Sequence, residues 1–517
     1  MVRSLTVFLI LAAVPLLAQR PGGAPPAQQQ AAPPAPIGGQ GAAPLMANAD
    51  DKPVITKHEI NAGGKKLTYT ATTGYMPLKS PQGETDAYIY YVYYTLDGVK
   101  DTSKRPLFFA YNGGPGSASV WLHLGALGPR RIKMLDDGSM PPAPYQMEDN
   151  PQTWLDIADM VFIDPVGTGY SRATKAEVAR RYNGVQGDLQ SVGEFIRLFL
   201  TRNERWLSPL FLVGESYGTF RSAGLAGYLI DQGIAFNGVA LISTILSYQT
   251  VSFAPSNDIG YALHLPTYTA TAWYHKKLPP DLQKDLKRAL KESEDYAFNG
   301  YLPTLAKGDR LTAAERKAAI EKLARLTGLD AKVIEENELR ITLGRYQSEL
   351  LRDKKLIAGR LDGRLVGPAQ MATPAGFAEY DPSNSAIRPP YTAAFGNYVH
   401  SELGFKTDNM YYILGGGILP WDFNVQNGYS ETADGLRRAL ARNPHMKVYV
   451  GAGYFDFATP YFAAEFNFSH MGLHPSVRDN VKFYYYNAGH MYYIDVASLA
   501  KLKKDMTEFV GWATSGK

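Results

Sequence analysis

Short runs of consecutive apolar residues recur along the chain, and each run ends at glycine-rich or polar residues. Continuous apolar runs are typical of strands buried on both faces, as in a parallel sheet covered by helices. Segments with helical patterns, such as residues 188–202, separate several of these runs. We therefore predict an α/β fold with a mostly parallel central sheet, whose strands lie at 107–111, 160–163, 210–213, 239–242, 448–450 and 481–486.

Two other patterns flank and interrupt this core. Residues 57–94 alternate between apolar and polar positions with glycine turns, which predicts antiparallel strands at a sheet edge. Residues 279–352 are rich in Lys, Glu, Leu and Ala, and a helix start is predicted at Leu311-Thr312-Ala313-Ala314-Glu315. We expect a helical cap insertion at 250–400, with an irregular loop at 359–390, between two parts of the core at 51–249 and 401–517.

The N-terminal residues show the pattern of a targeting segment. Arg3 precedes an apolar run from Leu5 to Leu17, which predicts a cleavable signal peptide at 1–19 and an exported protein, periplasmic or extracellular. The run is short for a bilayer span, so no stable membrane span is expected after cleavage. Residues 20–50 are rich in Pro, Ala, Gln and Gly, which predicts a disordered tether.

The composition of the chain excludes several kinds of functional site. The 517 residues include no cysteine, which excludes disulfides, a cysteine nucleophile and thiolate metal sites. The formal charge is only +4 and no dense basic stripe is present, so nucleic acid is not an expected partner. The chain has neither a His-Glu-x-x-His motif nor a dinucleotide fingerprint, and no metal or cofactor is expected.

The strongest single motif is Gly214-Glu215-Ser216-Tyr217-Gly218, which directly follows a predicted strand and precedes a helix-compatible segment. A serine at a sharp strand-to-helix turn has an exposed hydroxyl, and the flanking glycines relieve crowding at the bend. Ser216 is therefore the candidate nucleophile. It needs a base and an oxyanion site to react.

A base and an acid are predicted at the ends of the last two strands, where active sites of open α/β sheets lie. His490 follows residues 481–486, and Asp456 follows residues 448–450. The order Ser216, Asp456, His490 is the order expected for an α/β-hydrolase. Asp495 is an alternative acid, disfavoured because it lies only five residues beyond the histidine. The other histidines have packing or surface positions.

Backbone N–H groups for an oxyanion are expected at two places. Tyr217 follows the nucleophile, and the turn Asn112-Gly113-Gly114-Pro115-Gly116 follows the strand at 107–111. Both lie at the carboxyl ends of predicted strands, so they can face one reacting carbonyl.

Taken together, these blocks resemble the serine carboxypeptidase family, whose members remove single residues from peptide C-termini through an acyl-enzyme. The resemblance rests on Asp456-Phe457 and on four blocks in order, at 112–117 (Asn-Gly-Gly-Pro-Gly-Ser), 163–171 (Ile-Asp-Pro-Val-Gly-Thr-Gly-Tyr-Ser), 214–218 and 488–491 (Ala-Gly-His-Met). It implies a peptide substrate; oligomeric state is left open.

The resemblance also implies roles for eight residues. They are nucleophile (Ser216), base (His490), orienting acid (Asp456), oxyanion donors (Gly114 and Tyr217), ligands of the substrate's terminal carboxylate (Asn112 and Glu215), and an apolar contact for the departing residue (Met491). A carboxylate repels another carboxylate unless one is protonated, so peptide binding is expected to favour acidic pH.

Three positions depart from the family pattern. Ala126 stands where the family usually carries Glu, Ala110 where it carries Trp, and Ser117 where it carries Cys. A strict preference for a free C-terminus is therefore left open, as is use of the same site by an esterase or acyltransferase. A catalytically inactive binding protein is less favoured, because each triad position is filled. Tyr492 and Tyr493, close to the base, either line the cleft or pack in the core.

Overall fold

A computed structural model describes residues 44–50, 52–370 and 378–515. The signal peptide predicted at 1–19 lies outside the described residues, as does most of the tether predicted at 20–50.

The described strands lie in one large sheet and two small ones. In chain order they are β1 (Val54–Ala62), β2 (Lys65–Lys79), β3 (Thr85–Leu96), β4 (Leu107–Tyr111), β5 (Arg130–Ile132), β6 (Met147–Asp149), β7 (Asp159–Ile163), β8 (Arg172–Ala173), β9 (Leu210–Ser216), β10 (Gly238–Thr244), β11 (Leu356–Ala358), β12 (Val366–Pro368), β13 (Lys447–Gly453) and β14 (Val481–Tyr486). Each of the six runs predicted as core strands forms a strand.

The large sheet has ten described strands in the order β1-β2-β3-β7-β4-β9-β10-β13-β14, with β8 paired to β3. In this order, the neighbours from β7 through β4, β9, β10 and β13 to β14 pair in parallel. The pairs β1–β2, β2–β3 and β3–β7 are antiparallel. The predicted parallel sheet with an antiparallel edge is therefore confirmed. The central strand β9 lies between β4 and β10, so its carboxyl end emerges in the middle of the sheet.

Helices lie on both faces of this sheet and in the insertion at 250–400. They are α1 (Val120–Leu122), α2 (Ala176–Tyr182), α3 (Val185–Arg202), α4 (Tyr217–Ile230), α5 (Ile259–Tyr274), α6 (Pro280–Gln283), α7 (Leu286–Tyr296), α8 (Leu302–Leu305), α9 (Ala313–Thr327), α10 (Ala331–Glu336), α11 (Leu343–Glu349), α12 (Pro382–Ser401), α13 (Ala433–Arg442), α14 (Tyr461–His470), α15 (Pro475–Arg478) and α16 (Val496–Thr514). Among the described residues, no helix combines the length and the apolar character that a membrane crossing needs.

Alternation along the strands explains the layers. In β4, Phe108 and Ala110 join an apolar core that includes α12 and α16, while Leu107, Phe109 and Tyr111 join the opposite core with α3, α4 and α13. Because successive side chains of a strand point to opposite faces, a fully apolar run places one half of its side chains in each core.

The helices from α5 to α11 form a third apolar core, which also contains Phe455 and Phe457 from the loop after β13. The predicted helix start is present, since Thr312 accepts a hydrogen bond from the backbone N–H of Glu315 and the Glu315 side chain accepts from Thr312. The Phe457 ring contacts those of Tyr268 and Tyr346 at 5.6 and 5.5 Å between centroids. Aromatic packing thus joins these helices to the loop that carries Asp456.

The expectation of an irregular loop across 359–390 is wrong at residues 382–390, which are helical, and at 366–368, which form β12. Helix α12 begins at Pro382 and continues through Pro389 and Pro390. Asp381 caps it by accepting from the Ser383 N–H, and the first proline occupies a position whose N–H needs no partner. The two internal prolines resemble loop punctuation in the sequence, but the helix is held by burial of Tyr391, Phe395 and Tyr398.

Candidate active site

Ser216 lies at the turn between β9 and α4, in the backbone conformation expected for an exposed nucleophile. Its φ is 60° and its ψ is −129°, a combination that costs a non-glycine residue about 1–3 kcal/mol. A Cβ at Gly214 would collide with the carbonyl of Gly218, and a Cβ at Gly218 would lie 2.9 Å from the carbonyl oxygen of Tyr111. Both motif glycines are therefore required by close backbone approach.

His490 and Asp456 follow β14 and β13 and are bonded to each other. The distance from His490 Nδ1 to Asp456 Oδ2 is 2.7 Å, and both side chains are buried. This hydrogen bond fixes the proton on Nδ1, which leaves Nε2 as the basic nitrogen. Asp495, the alternative acid, instead contacts Arg364 at 3.2 Å and caps α16.

The Asp456 carboxylate is fully occupied by donors. Its Oδ1 accepts from the backbone N–H groups of Ala458 and Thr459 at 2.8 and 3.1 Å, and its Oδ2 accepts from Thr459 Oγ1 at 2.6 Å. Charge-assisted hydrogen bonds of this kind hold a buried carboxylate in one orientation. Thr459 was not among the predicted residues, although its position three residues after the acid is a typical turn spacing.

Burial opposes the charged form of His490, but the charge of Asp456, its hydrogen bond, and the charge of Glu215 outweigh it and raise the pKa of the imidazole. The charged form of this imidazole is thereby stabilised.

A single cavity of about 790 Å³ brings most of the predicted residues together. Six of the eight line it, namely Asn112, Gly114, Glu215, Ser216, His490 and Met491. Asp456 lies behind His490, and Tyr217 is buried directly after Ser216. Aromatic and aliphatic side chains form much of the remaining wall, including Trp121, Phe253, Trp421 and Phe423.

The turn at 112–116 packs against the first residues of α4. A Cβ at Gly113 would collide with the backbone nitrogen of Tyr217, and Gly114 has a φ of 101°. Arg221 of α4 donates to the carbonyl of Asn112 at 2.8 Å and pairs with the buried Asp188 at 2.8 Å. This holds the turn beside the N–H groups at the helix start, the arrangement that an oxyanion site needs.

Glu215 is a buried carboxyl group in the wall of the cavity. Burial raises its pKa from 4.5 to about 7, although the charge of His490 and the hydrogen bond from the Tyr493 hydroxyl act in the opposite direction. The Asn112 side chain also lowers this pKa. Its amide nitrogen is buried and has no hydrogen-bond partner among the described residues. A ligand with an acceptor oxygen would satisfy it.

Tyrosines occupy the space beside the position where the family carries Glu. Ala126 is buried in a π-helical turn (His123–Leu127), and a Cβ at the neighbouring Gly125 would lie 2.5 and 2.6 Å from the Tyr391 hydroxyl and the Tyr493 ring. Tyr493 is not one of the described residues that line the cavity, but its hydroxyl donates a hydrogen bond to Glu215, which does line it. No local signal in the sequence predicts this contact, because the two residues are 278 positions apart.

A short segment at 360–364, here called the strap, crosses the loops of the base and the acid. The carbonyl of Leu361 accepts from the backbone N–H of His490 at 2.6 Å, and the carbonyl of Arg360 accepts from that of Phe457 at 3.2 Å. Asp362 accepts from the backbone N–H of Gly489 at 3.0 Å. The strap thus fixes the backbone on both sides of the His490–Asp456 pair.

A mostly parallel sheet, a serine at a strained strand-to-helix turn, and a His–Asp pair after the last two strands define an α/β-hydrolase. The fold agrees with that of a crystal structure, the prohormone-processing carboxypeptidase Kex1(delta)p from Saccharomyces cerevisiae. The TM-score is 0.55 at 16% identity, covering 85% of this chain and 91% of that one.

The sequence model of the serine carboxypeptidase family matches residues 63–324, just over half of the chain. The chain therefore belongs to the serine carboxypeptidase family. It is similar to serine carboxypeptidase-like 36 of Arabidopsis thaliana (28% identity, 38% of each chain) and to carboxypeptidase sxa2 of Schizosaccharomyces pombe (24% identity, 38% of this chain and 39% of that one). The mouse retinoid-inducible serine carboxypeptidase is 30% identical over 30% of this chain. These alignments span about two fifths or less of each curated relative.

Proposed function

We propose that this protein is a serine-type carboxypeptidase that hydrolyses C-terminal residues of peptides through an acyl-enzyme. The observation that carries the proposal is the cavity in which Ser216 and the Asp456-bonded His490 lie beside Glu215, a buried carboxyl group whose pKa is about 7. Family membership supports the same reaction class.

In the proposed reaction, His490 Nε2 takes the proton of the Ser216 hydroxyl while the oxygen attacks the carbonyl carbon of the last peptide bond. The N–H groups of Gly114 and Tyr217 stabilise the oxyanion, and loss of one such donor costs about 2.7–4 kcal/mol of barrier. The C–N bond then breaks as His490 returns its proton to the departing amine. Water, activated by the same imidazole, releases the peptide from Ser216.

The terminal carboxylate of the substrate would bind to Asn112 and to the protonated form of Glu215, with Met491 against the departing side chain. Above a pH of about 7 the carboxyl group of Glu215 loses its proton and the two carboxylates repel. Peptide affinity is therefore expected to fall as the pH rises through this value.

A second candidate is an esterase or acyltransferase that uses the same residues. One observation favours it. The family usually supplies a further carboxyl group at the position of Ala126. Ala126 is buried and has no polar side chain, and its carbonyl already accepts from Asn150 at 2.8 Å. Recognition of a free C-terminus then depends on fewer groups.

One experiment separates these candidates. Wild type is offered a peptide as its free acid, as its C-terminal amide, and as a simple ester, while a fluorophosphonate probe reports the nucleophile. We expect the free acid to be cleaved one residue at a time, and labelling to be lost in Ser216→Ala but retained in Ser469→Ala, an exposed serine of α14. Cleavage of the ester alone would contradict the peptidase, and absence of labelling in wild type would indicate an inactive site.

The proposal includes the predicted location and domain division. We place the protein outside the cytoplasm because of the predicted signal peptide at 1–19. We assign the core to 51–249 and 401–517 and the cap to 250–400, since helices α5 to α11 pack in a core of their own and the insertion contributes Arg360, Leu361, Asp381, Asn384 and Ile387 to the cavity.

A further inference from the structure

Arg360 is the one arginine or lysine among the described residues that line the catalytic cavity. It is half-buried and comes from the strap, so it reaches the cavity from the side of the insertion. The acidic residues that line the same cavity are Glu215 and Asp381.

The Arg360 guanidinium has no partner within the described part of the chain. Its Nε is buried without a hydrogen bond, and no ion pair joins it to any carboxylate there. Asp381 is engaged elsewhere, since its Oδ1 accepts from the backbone N–H groups of Arg360 and Ser383 and from Ser383 Oγ, at 2.9, 3.0 and 2.5 Å. A buried guanidinium N–H left unpaired costs free energy that an incoming acceptor would recover.

The backbone that carries this cation is bonded to the loops of the reacting residues. The carbonyl of Arg360 is bonded to Phe457, next to Asp456, and the adjacent Leu361 is bonded to His490. The positive charge of Arg360 acts on the imidazole, where it opposes the rise in the pKa of His490. The guanidinium is therefore within electrostatic range of the site where the substrate carbonyl reacts.

We infer that Arg360 binds a carboxylate of the peptide substrate next to the scissile bond. The inference rests on the proposed peptidase function. A guanidinium presents its N–H groups in a planar fork that matches a carboxylate, and such charge-assisted pairs are strong when partly desolvated. The carboxylate comes either from the C-terminus itself or from an acidic side chain on one side of the bond that breaks. If the carboxylate is the C-terminus, Arg360 contributes to the recognition of a free C-terminus that Ala126 cannot provide. If it is a side chain, Arg360 confers a preference for acidic residues.

The test measures kcat/KM on one peptide series with three features varied independently. The last residue is Asp or Asn, the penultimate residue is Asp or Asn, and the C-terminus is a free acid or an amide. Wild type is compared with Arg360→Gln and with Arg360→Lys, which keeps the charge but loses the fork. Arg310→Gln, at an exposed position of the insertion, is the control for a change in net charge.

We expect Arg360→Gln to reduce one of these preferences about tenfold or more, and Arg360→Lys to reduce it less. Loss of the free-acid preference identifies the terminal carboxylate, and loss of an Asp-over-Asn preference identifies a side chain and its position. Arg310→Gln should match wild type.

The inference is overturned if all three ratios in Arg360→Gln stay within twofold of wild type while fluorophosphonate labelling shows a folded site. It is also overturned if wild type shows no preference for any of the carboxylates, a result that needs no variant. Failure of the proposed function looks different, because wild type would then cleave esters but none of the peptides. Ester pairs with and without a carboxylate would still test Arg360 in that case.

Discussion

Glu215 illustrates how single residues set the chemistry of this cavity. It is adjacent to Ser216 in sequence, buried, and bonded to Tyr493 rather than to a cation. Desolvation of a carboxyl group favours its neutral form, and here the hydrogen bonds offset only part of that effect. A group useful for binding an anionic substrate is thus a liability for folding at neutral pH.

We predict that Glu215→Gln increases stability above pH 7 and flattens its pH dependence. In the folded protein the pKa of Glu215 is raised from 4.5 to about 7, so the folded state binds more protons than the unfolded state between these values. The free energy of unfolding therefore falls as pH rises across this window, by up to about 3 kcal/mol for this group. Denaturant unfolding at pH 4.5 and pH 8 measures the difference.

The matched control is Glu508→Gln on the exposed side of α16, which should follow wild type at both pH values. If the stability of Glu215→Gln had the same pH dependence as that of wild type, this carboxyl group would not be the cause of the fall in stability with rising pH.

At the scale of elements, His490, the proposed base, is positioned by a segment distant in sequence. The strap reaches the His490 loop through the carbonyl of Leu361 and the Asp362 carboxylate, and Arg364 binds that carboxylate at 2.7 Å and the carbonyl of Asn487 at 2.8 Å. These bonds tie the backbone of the loop after β14 to the strap. Precise placement of a general base is worth large factors in rate.

Asp362→Asn is predicted to lower kcat about tenfold with a small change in KM, since it weakens the bonds to Gly489 and Arg364 that place the base without touching the substrate. Loss of charge beside a buried Arg364 should also lower the free energy of unfolding by about 1–3 kcal/mol. Steady-state kinetics and denaturant unfolding give both values.

The control for this substitution is Asp353→Asn, which removes an exposed carboxylate that pairs with Lys277 at 2.8 Å and should have little effect on either quantity. An equal rise in KM with unchanged kcat would instead place Asp362 in substrate binding.

The elements that were predicted correctly are those whose local sequence pattern is sufficient to determine their structure. The six core strands follow from uninterrupted apolar runs. Ser216 ends β9, and Asp456 and His490 lie in the loops that follow β13 and β14. Helix α12 was missed because Pro389 and Pro390 have the local signature of a loop, whereas its stability comes from tertiary burial. The contact of Tyr493 with Glu215 and the position of Arg360 were not predictable for the same reason, since they depend on residues far apart in the chain.

For the molecule as a whole, stability comes from packing without disulfides. The chain has no cysteine, and three apolar cores and buried ion pairs hold the described residues together. Asp159, for example, pairs with Arg105 and Arg205 at 3.0 and 2.7 Å at the start of β7, the end of the sheet opposite to the cavity. The redox state of a compartment therefore does not change the covalent cross-linking of this protein.

We predict that the mature protein begins close to residue 20, because the pattern at 1–19 is that of a cleaved signal peptide. Mass spectrometry of the N-terminal peptide from an exported fraction measures this directly. Deletion of residues 1–19 should retain fluorophosphonate labelling but leave the protein in the cytoplasm. Recovery of an intact Met1 in the exported fraction would contradict the prediction.

The strap has a consequence for protein engineering. Its backbone bonds to the loops of Asp456 and His490 mean that the insertion and the two loops form one interlocking unit, although they are separate in sequence. Chimeras that exchange the insertion between relatives should therefore transplant residues 360–364 together with the loops after β13 and β14, or retain all three.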